Sequence, residues 1–266
     1  MSTTPADGPV LEVSGLSKSF GGNHAVREVS FALGASELLA LIGPNGAGKT
    51  TCFNMLNGQL RPDRGRVVFC GRDITGMRPR EAWRLGLGRT FQITATFPSM
   101  TVIENVQIAL ISHERKSYEL FSAARRQGRA EAEALLDRVG MAGAADRHCA
   151  ELAYGDLKRL ELAVALANRP RLLLMDEPTA GMAPAARVEL MALAARIVAE
   201  EGVSILFTEH DMDVVFRHAH RILVLNRGEI IAEGSAEAIR ADARVREVYL
   251  GGGTQEPGAE EARPHA

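Results

Sequence analysis

The sequence predicts an α/β chain. It should hold a mainly parallel sheet, an antiparallel β region ahead of it, and a helical segment inserted into it. Three observations carry this. Leu38–Ile42, Leu172–Met175 and Ser204–Thr208 are apolar runs of strand length, each followed by a helical pattern. Strands that read as unbroken apolar runs are those buried on both faces, as in a parallel sheet covered by helices. Between Thr101 and Leu166 helix periodicity replaces strand patterning almost completely.

In chain order, Val10–Val13, Val29–Leu33 and Val67–Phe69 are short β-branched or period-two stretches and read as strands. Thr101–Ile111, Arg129–Val139 and Asp156–Ala167 are the clearest helices of the insert, which should span about residues 93–168. Pro184–Glu200 and Asp211–His218 are expected to cover the sheet. Arg221–Ile231 reads as a hairpin around Asn226-Arg227-Gly228. The domain should run from residue 10 to residue 251. Residues 1–9 and 252–266 combine Gly, Pro and acid without a periodic apolar face, and are expected to be disordered.

With 266 residues the chain can bury a full core. Its 31 basic and 33 acidic residues give a net charge of -2, which argues against a nucleic-acid surface. Cys52, Cys70 and Cys149 show neither paired nor metal-like spacing, as expected in a reducing cytoplasm. The N-terminus lacks a signal pattern, and no apolar run approaches the ~18–20 residues that span a bilayer. Any membrane role is therefore expected to come through a partner.

Residues Gly43 to Thr51 read GPNGAGKTT between an apolar run and a helical stretch. This is the phosphate-binding pattern G-x-x-x-x-G-K-[ST] in its strand–loop–helix setting. Gly43, Pro44, Asn45, Gly46, Ala47 and Gly48 form a loop that turns its backbone N–H groups, of which Pro44 has none, toward phosphate, and the next helix adds its partial positive charge. Lys49 supplies a full charge, the Thr50 hydroxyl suits Mg²⁺, and Thr51 continues the first turn. Leu172–Met175 then ends in Asp176 and Glu177. Acids at the C-terminal end of such a strand point into the ligand crevice of an open α/β sheet. Asp176 is suited to hold Mg²⁺, and Glu177 to polarise a water in line with a terminal phosphate.

Leu152-Ala153-Tyr154-Gly155-Asp156 precedes a helix and ends twenty residues ahead of Asp176. With this motif in place the chain resembles the ATP-binding-cassette ATPases, whose signature is LSGGQ at this position, over nearly all of Val10–Gly251. The resemblance implies a P-loop NTPase core, ATP and Mg²⁺ as ligands, and ATP hydrolysis. It implies that Gln92, in Arg89-Thr90-Phe91-Gln92, reaches the Mg²⁺ and reports to a membrane partner. By the same resemblance His210 contacts the γ-phosphate, Phe20 stacks on adenine, and Ala180–Ala183 form the D-loop. Leu152, Ala153, Tyr154, Gly155 and Asp156 close on nucleotide held by a second cassette, in a head-to-tail dimer. Two departures stand out: Ala153 replaces the signature serine and Ala183 the D-loop aspartate. Slower or partner-dependent hydrolysis is the expected consequence.

The wording GLGRTFQ, TVIENV, LAYGD, DEPTAGMAP and REVYLGG is similar to the ATPases of the high-affinity branched-chain amino-acid importers. That family implies two transmembrane permease subunits, a second ATPase (identical or a sister), and a periplasmic solute-binding protein reached through the permeases. It implies a peripheral position on the cytoplasmic face of the inner membrane, and cargo such as branched-chain amino acids, amides or urea. Ile93–Met100 lies where the family takes a short helix of the permease. A soluble cassette ATPase acting on a non-membrane partner, and a cassette for another cargo, stay open as alternatives.

Overall fold

The computed structural model describes residues 8–90, 96–114 and 128–250. The two expected disordered ends therefore lie outside the described residues, apart from Gly8 and Pro9. Strands β1 (Leu11–Phe20), β2 (Asn23–Leu33), β4 (Arg64–Phe69) and β5 (Arg72–Asp73) form an antiparallel sheet in the order β2-β1-β4-β5. A second sheet has the order β10-β9-β3-β8-β7-β6, from β3 (Leu38–Ile42), β6 (Leu87–Thr90), β7 (Leu172–Asp176), β8 (Ser204–Thr208), β9 (Arg221–Asn226) and β10 (Glu229–Gly234). All its pairings are parallel except β10 with β9.

The unbroken apolar runs have a plain physical cause. Side chains alternate across a strand, and here each face of the second sheet meets its own core. Leu38, Ala40 and Ile42 of β3 join a core with Leu173 and Met175 of β7 and Ile205 and Phe207 of β8. Leu39 and Leu41, with Leu172, Leu174 and Leu206, join the other core. All these side chains are essentially buried. At roughly 1.5–3 kcal/mol for each large side chain buried, these central strands carry much of the hydrophobic stabilisation.

The second of those cores is closed by the inner face of the antiparallel sheet and by helix α1 (Lys49–Leu56), through Phe53, Met55 and Leu56. The first is closed by α3 (Val102–Glu114), α4 (Arg129–Arg138), α5 (Tyr154–Leu166), α6 (Pro184–Glu201) and α7 (Met212–His218). The short α2 (Pro79–Arg84) precedes β6, while α8 (Ala236–Ala241) and α9 (Ala243–Leu250) follow β10. Helix α6 starts with Pro184 in its first turn and stops at Gly202, whose left-handed backbone (φ 73°) caps it.

The element boundaries shift in instructive ways. Strands β1 and β2 run well beyond Val10–Val13 and Val29–Leu33, with register shifts in their pairing between Val13 and Ser19. Such irregularities interrupt the period-two pattern that marks a strand in sequence. Strand β6 has no apolar signature because it is a four-residue edge strand carrying Gly88 and Arg89. Asp211, expected inside a helix, is instead the N-cap of α7 and accepts from the N–H groups of Asp213 and Val214.

Candidate functional site

The site is laid out by β3, β8 and β7, which lie side by side and parallel. Their C-terminal ends deliver, respectively, the phosphate loop, Glu209 with His210, and Asp176 with Glu177. Residues far apart in sequence converge because all three connections leave the same edge of the sheet.

Gly43–Thr51 leaves β3 and enters α1. Two of its glycines are required by close approach. A Cβ at Gly43 would stand 2.1 Å from the Leu225 carbonyl oxygen, and one at Gly48 2.3 Å from that of Ala25. Gly48 is also the left-handed N-cap of α1 (φ 105°) and offers no side chain to cap it. The first-turn N–H groups are thus left to a ligand, as at anion-binding helix starts. Lys49 is buried, and its ammonium donates to the carbonyl oxygens of Gly43 at 2.6 Å and Pro44 at 3.2 Å. Burial pulls its pKa below the usual lysine range, opposed by the charges of Glu177 and Asp176. The three charged groups of the motif therefore sense one another.

Asp176 is 4 % exposed and held at both oxygens. Thr208 Oγ1 donates to Oδ1 at 2.7 Å, and Arg89 Nη2 donates to Oδ2 at 3.0 Å. Glu177 adopts a left-handed backbone (φ 49°), which an L residue occupies only when its surroundings hold it there. Its N–H donates to Thr208 Oγ1 at 3.0 Å and its carbonyl accepts from Ala180 N–H. The turn swings Glu177 to meet His210: Nε2 lies 2.8 Å from Glu177 Oε1. With the carboxylate ionised, Nε2 carries the proton and donates.

Glu209, which the motif reading passed over, is the buried staple of this edge. Its Oε1 accepts from Thr179 N–H and Thr179 Oγ1 at 2.8 and 2.7 Å, and Oε2 accepts from His210 N–H at 3.2 Å. It ties the segment after Glu177 to the residue before His210. Tyr249 on α9 also reaches the site: its hydroxyl lies by the Gly43 backbone, and burial pushes its pKa up to about 12. Nothing local in the sequence signals either contact, since both depend on which chain ends the sheet brings together.

Phe20 ends β1 half-exposed at 51 %, with Lys18 Nζ 5.7 Å from its ring centroid. It is presented, not packed. Gln92 lies outside the described residues, as do Phe91 and Ile93–Ala95. Leu152–Asp156 is not joined to Gly43–Thr51 by any hydrogen bond or ion pair among the described residues. It forms the start of α5 instead, with Ala153 as an N-cap that has no side-chain oxygen to accept a bond. Tyr154 is half-exposed, lies against Gly181 and has the Lys158 ammonium 5.4 Å from its ring. A Cβ at Gly155 would meet Ala186 and Met182 at 3.7 Å, an ordinary contact distance.

The donors available for a cation are the Thr50 hydroxyl and the Asp176 carboxylate, with phosphate oxygens from a nucleotide. Among the described residues no three His, Cys, Asp or Glu are placed to hold a metal ion together. A few hard oxygen donors beside a phosphate loop are the set that magnesium takes and that softer metals do not.

The ABC transporter family model matches residues 26–180, and the model of the branched-chain amino acid ATP-binding cassette transporters matches residues 229–254. The chain is 41 % identical over 252 residues to the high-affinity branched-chain amino acid transport ATP-binding protein LivG of Salmonella typhimurium, covering 91 % of this chain and 98 % of that one. It is 38 % identical to BraF of Pseudomonas aeruginosa, over 91 % of this chain and 98 % of that protein. Among solved structures it resembles the ADP conformation of MJ1267, an ATP-binding cassette of an ABC transporter, with TM-score 0.82 and 32 % identity over 92 % of this chain and 99 % of that one. It also resembles the dimeric post-hydrolysis state of the cassette MJ0796 bound to ADP and Pi, with TM-score 0.71 and 26 % identity over 85 % of this chain and 98 % of that one. The likeness spans nearly whole chains in sequence and in fold, and this chain belongs to the ABC transporter family as an ATP-hydrolysing, ATP-binding cassette.

Proposed function

We propose that this cassette powers uptake of branched-chain amino acids, or related amides and amino acids, by hydrolysing ATP at the cytoplasmic face of a membrane. The cargo reading is supported by the names of the relatives over nine-tenths of the chain and by the match at residues 229–254. The chain itself has no helix, among the described residues, long and apolar enough to cross a membrane. Two permease subunits would carry the solute, and a periplasmic binding protein would deliver it to them.

The single observation behind the catalytic reading is the Glu177–His210 contact at 2.8 Å beside Lys49 and Asp176. Glu177 orients and polarises the attacking water, and His210 holds Glu177 until it turns to the γ-phosphate. Lys49 and the α1 N-terminus neutralise the phosphates, so catalysis is positioning plus charge stabilisation. Phe20 offers its exposed ring to the adenine. Bound Mg²⁺, held by Thr50, Asp176 and Gln92, would supply further charge neutralisation at the phosphates.

Leu152–Asp156 supplies the other half of a site on a second cassette, identical or a sister. Its α5 N-terminus presents N–H groups and dipole toward an anion without reaching the phosphate loop of its own chain. Residues 93–168 act as a helical subdomain that carries this half. At its root α2, β6 and α5 enclose a cavity of about 270 Å³ lined by Trp83, Leu87, Thr96 and Val164. Phe97, half-exposed, stands at the neighbouring position. We take this apolar groove as the seat of the permease helix.

Glu177→Gln tests the reading. ATPase activity should fall about 10²- to 10⁴-fold, the range of a lost general base. ATP binding should persist, and the variant should elute as a dimer in ATP. Steady-state turnover equal to that of the parent would rule out Glu177 as the water-activating group.

A further inference from the structure

Arg89 stands three residues before Gln92, and its contacts give it a place of its own. It sits on the edge strand β6, in register beside Leu174 of β7. Its side chain is 12 % exposed and its partner carboxylate 2 %. One arm of the guanidinium, Nη2, is spent on Asp176 Oδ2 at 3.0 Å. The other, Nη1, donates to Asn54 Oδ1 at 2.8 Å and to Gln59 Oε1 at 2.9 Å. Asn54 belongs to α1, the helix that starts at the phosphate loop. The same arginine, with Gln59, lines the 270 Å³ groove. On the opposite wall Glu161 is 7 % exposed; Lys158 takes one of its oxygens at 3.0 Å, and Oε1 is buried without a partner among the described residues.

We infer that Arg89 is a positioning residue that relays occupancy of the groove to Asp176. The inference rests on the reading of Asp176 as the magnesium-holding carboxylate and of the groove as the permease seat. Its physical basis is the planar fork of the guanidinium. Only arginine can hold a carboxylate with one arm and two amide oxygens with the other. A partner element that enters the groove meets Arg89 and Gln59 directly. Any displacement of that fork moves the carboxylate it grips, because among the described residues the Asp176 carboxylate is otherwise hydrogen-bonded only to Thr208 Oγ1. A cation at this distance also opposes a second cation on the same carboxylate. Arg89 therefore keeps magnesium affinity below what a free aspartate would give, while fixing the carboxylate where catalysis needs it.

The two effects separate in measurement. Parent, Arg89→Gln and Arg89→Lys proteins are compared for binding of a fluorescent ATP analogue, first without and then with a magnesium titration. Their ATPase rates are measured with and without vesicles holding the permease pair. For Arg89→Gln we expect magnesium-free nucleotide affinity within about twofold of the parent, since Arg89 does not touch the phosphate loop. Half-saturating magnesium should fall about threefold or more, as expected on removing a nearby cation. The turnover rate should fall about tenfold and permease stimulation should disappear, as expected when a positioning contact is lost. Arg89→Lys should keep the parent magnesium dependence and regain only part of the turnover.

Weakened binding of nucleotide and magnesium together would mean a merely structural role and would overturn the inference. So would permease stimulation retained in Arg89→Gln. Asp176→Asn is the control on the underlying reading. If it leaves the magnesium dependence of binding unchanged, the assignment of Asp176 fails, whatever Arg89 does.

Discussion

The phosphate-loop side and the Leu152–Asp156 side of this cassette face the same chemistry but are built differently. The first is assembled by the sheet. Lys49, Asp176, Glu177 and His210 follow three adjacent parallel strands, and each is held by hydrogen bonds within the chain, the first two of them buried. The second is one helix start at the surface, whose N-cap Ala153 makes no side-chain bond and whose Tyr154 is half-exposed. One side is pre-organised inside a monomer, whereas the other, in the function proposed above, meets an anion held by a second cassette. The contrast implies that nucleotide binding is a property of the single cassette and that turnover is a property of the pair.

The comparison breaks most sharply at Lys49. Lys49→Ala should cost about 2–5 kcal/mol of ATP binding, the range for removing one member of a buried charge pair, or roughly thirtyfold to a few thousandfold in Kd. Substitutions in Leu152–Asp156 should leave that monomer Kd unchanged. The pH dependence gives the sign. Burial lowers the Lys49 pKa, so the ammonium is lost at a lower pH than from an ordinary lysine. ATP affinity in the parent should therefore begin to fall below pH 10.5, where free lysine is still charged, and in Lys49→Ala that fall should vanish. Equilibrium titration with a fluorescent nucleotide across alkaline pH measures both.

The sheet-built side was also the more legible in sequence, though unevenly. Gly43–Thr51 is a contiguous loop whose backbone demands are written in its glycines, and Asp176-Glu177 ends an apolar run of the kind a doubly buried strand produces. The helix start at Leu152–Asp156 was equally local. What sequence could not show were contacts made by topology. The meeting of His210 with Glu177 depends on β8 lying beside β7. Arg89 stands within the Arg89-Thr90-Phe91-Gln92 motif, but its grip on Asp176 needs the edge strand β6, which four residues with a glycine do not announce. Tyr249 reaches Gly43 from the far end of the chain. The roles given to Gln92 and Ile93–Ala95 fall outside the described residues.

A smaller effect is expected at Glu209, which holds the sheet-built side together without touching nucleotide. Glu209→Gln keeps one acceptor oxygen but loses the charge that serves Thr179 and His210. Charged hydrogen bonds are worth about 1.5–3 kcal/mol, so turnover should fall about tenfold as His210 loses its place. ATP affinity should stay near that of the parent, because Glu209 donates nothing to the phosphate loop. Equal losses in affinity and turnover would mean that the two ends of the crevice are less independent than their separate strands suggest.

The smallest effect should come from the surface-built side, and it tests whether that side is under-equipped. Ala153 has the extended backbone of an N-cap (φ −65°, ψ 154°) but no side-chain oxygen for the first-turn N–H groups of α5. Ala153→Ser supplies one, and such caps contribute about 1 kcal/mol. For a domain of this size that corresponds to a Tm rise of about 2–4 °C. The monomer Kd for ATP should not change, because this helix start is not joined to the phosphate loop of its own chain. If the hydroxyl also meets the phosphates held by a second cassette, turnover at saturating ATP should rise several-fold, by an amount that grows with protein concentration. A higher Tm with turnover unchanged at every protein concentration would confine Ala153 to its own helix, and the notion of a cassette slowed by its signature would have to be given up.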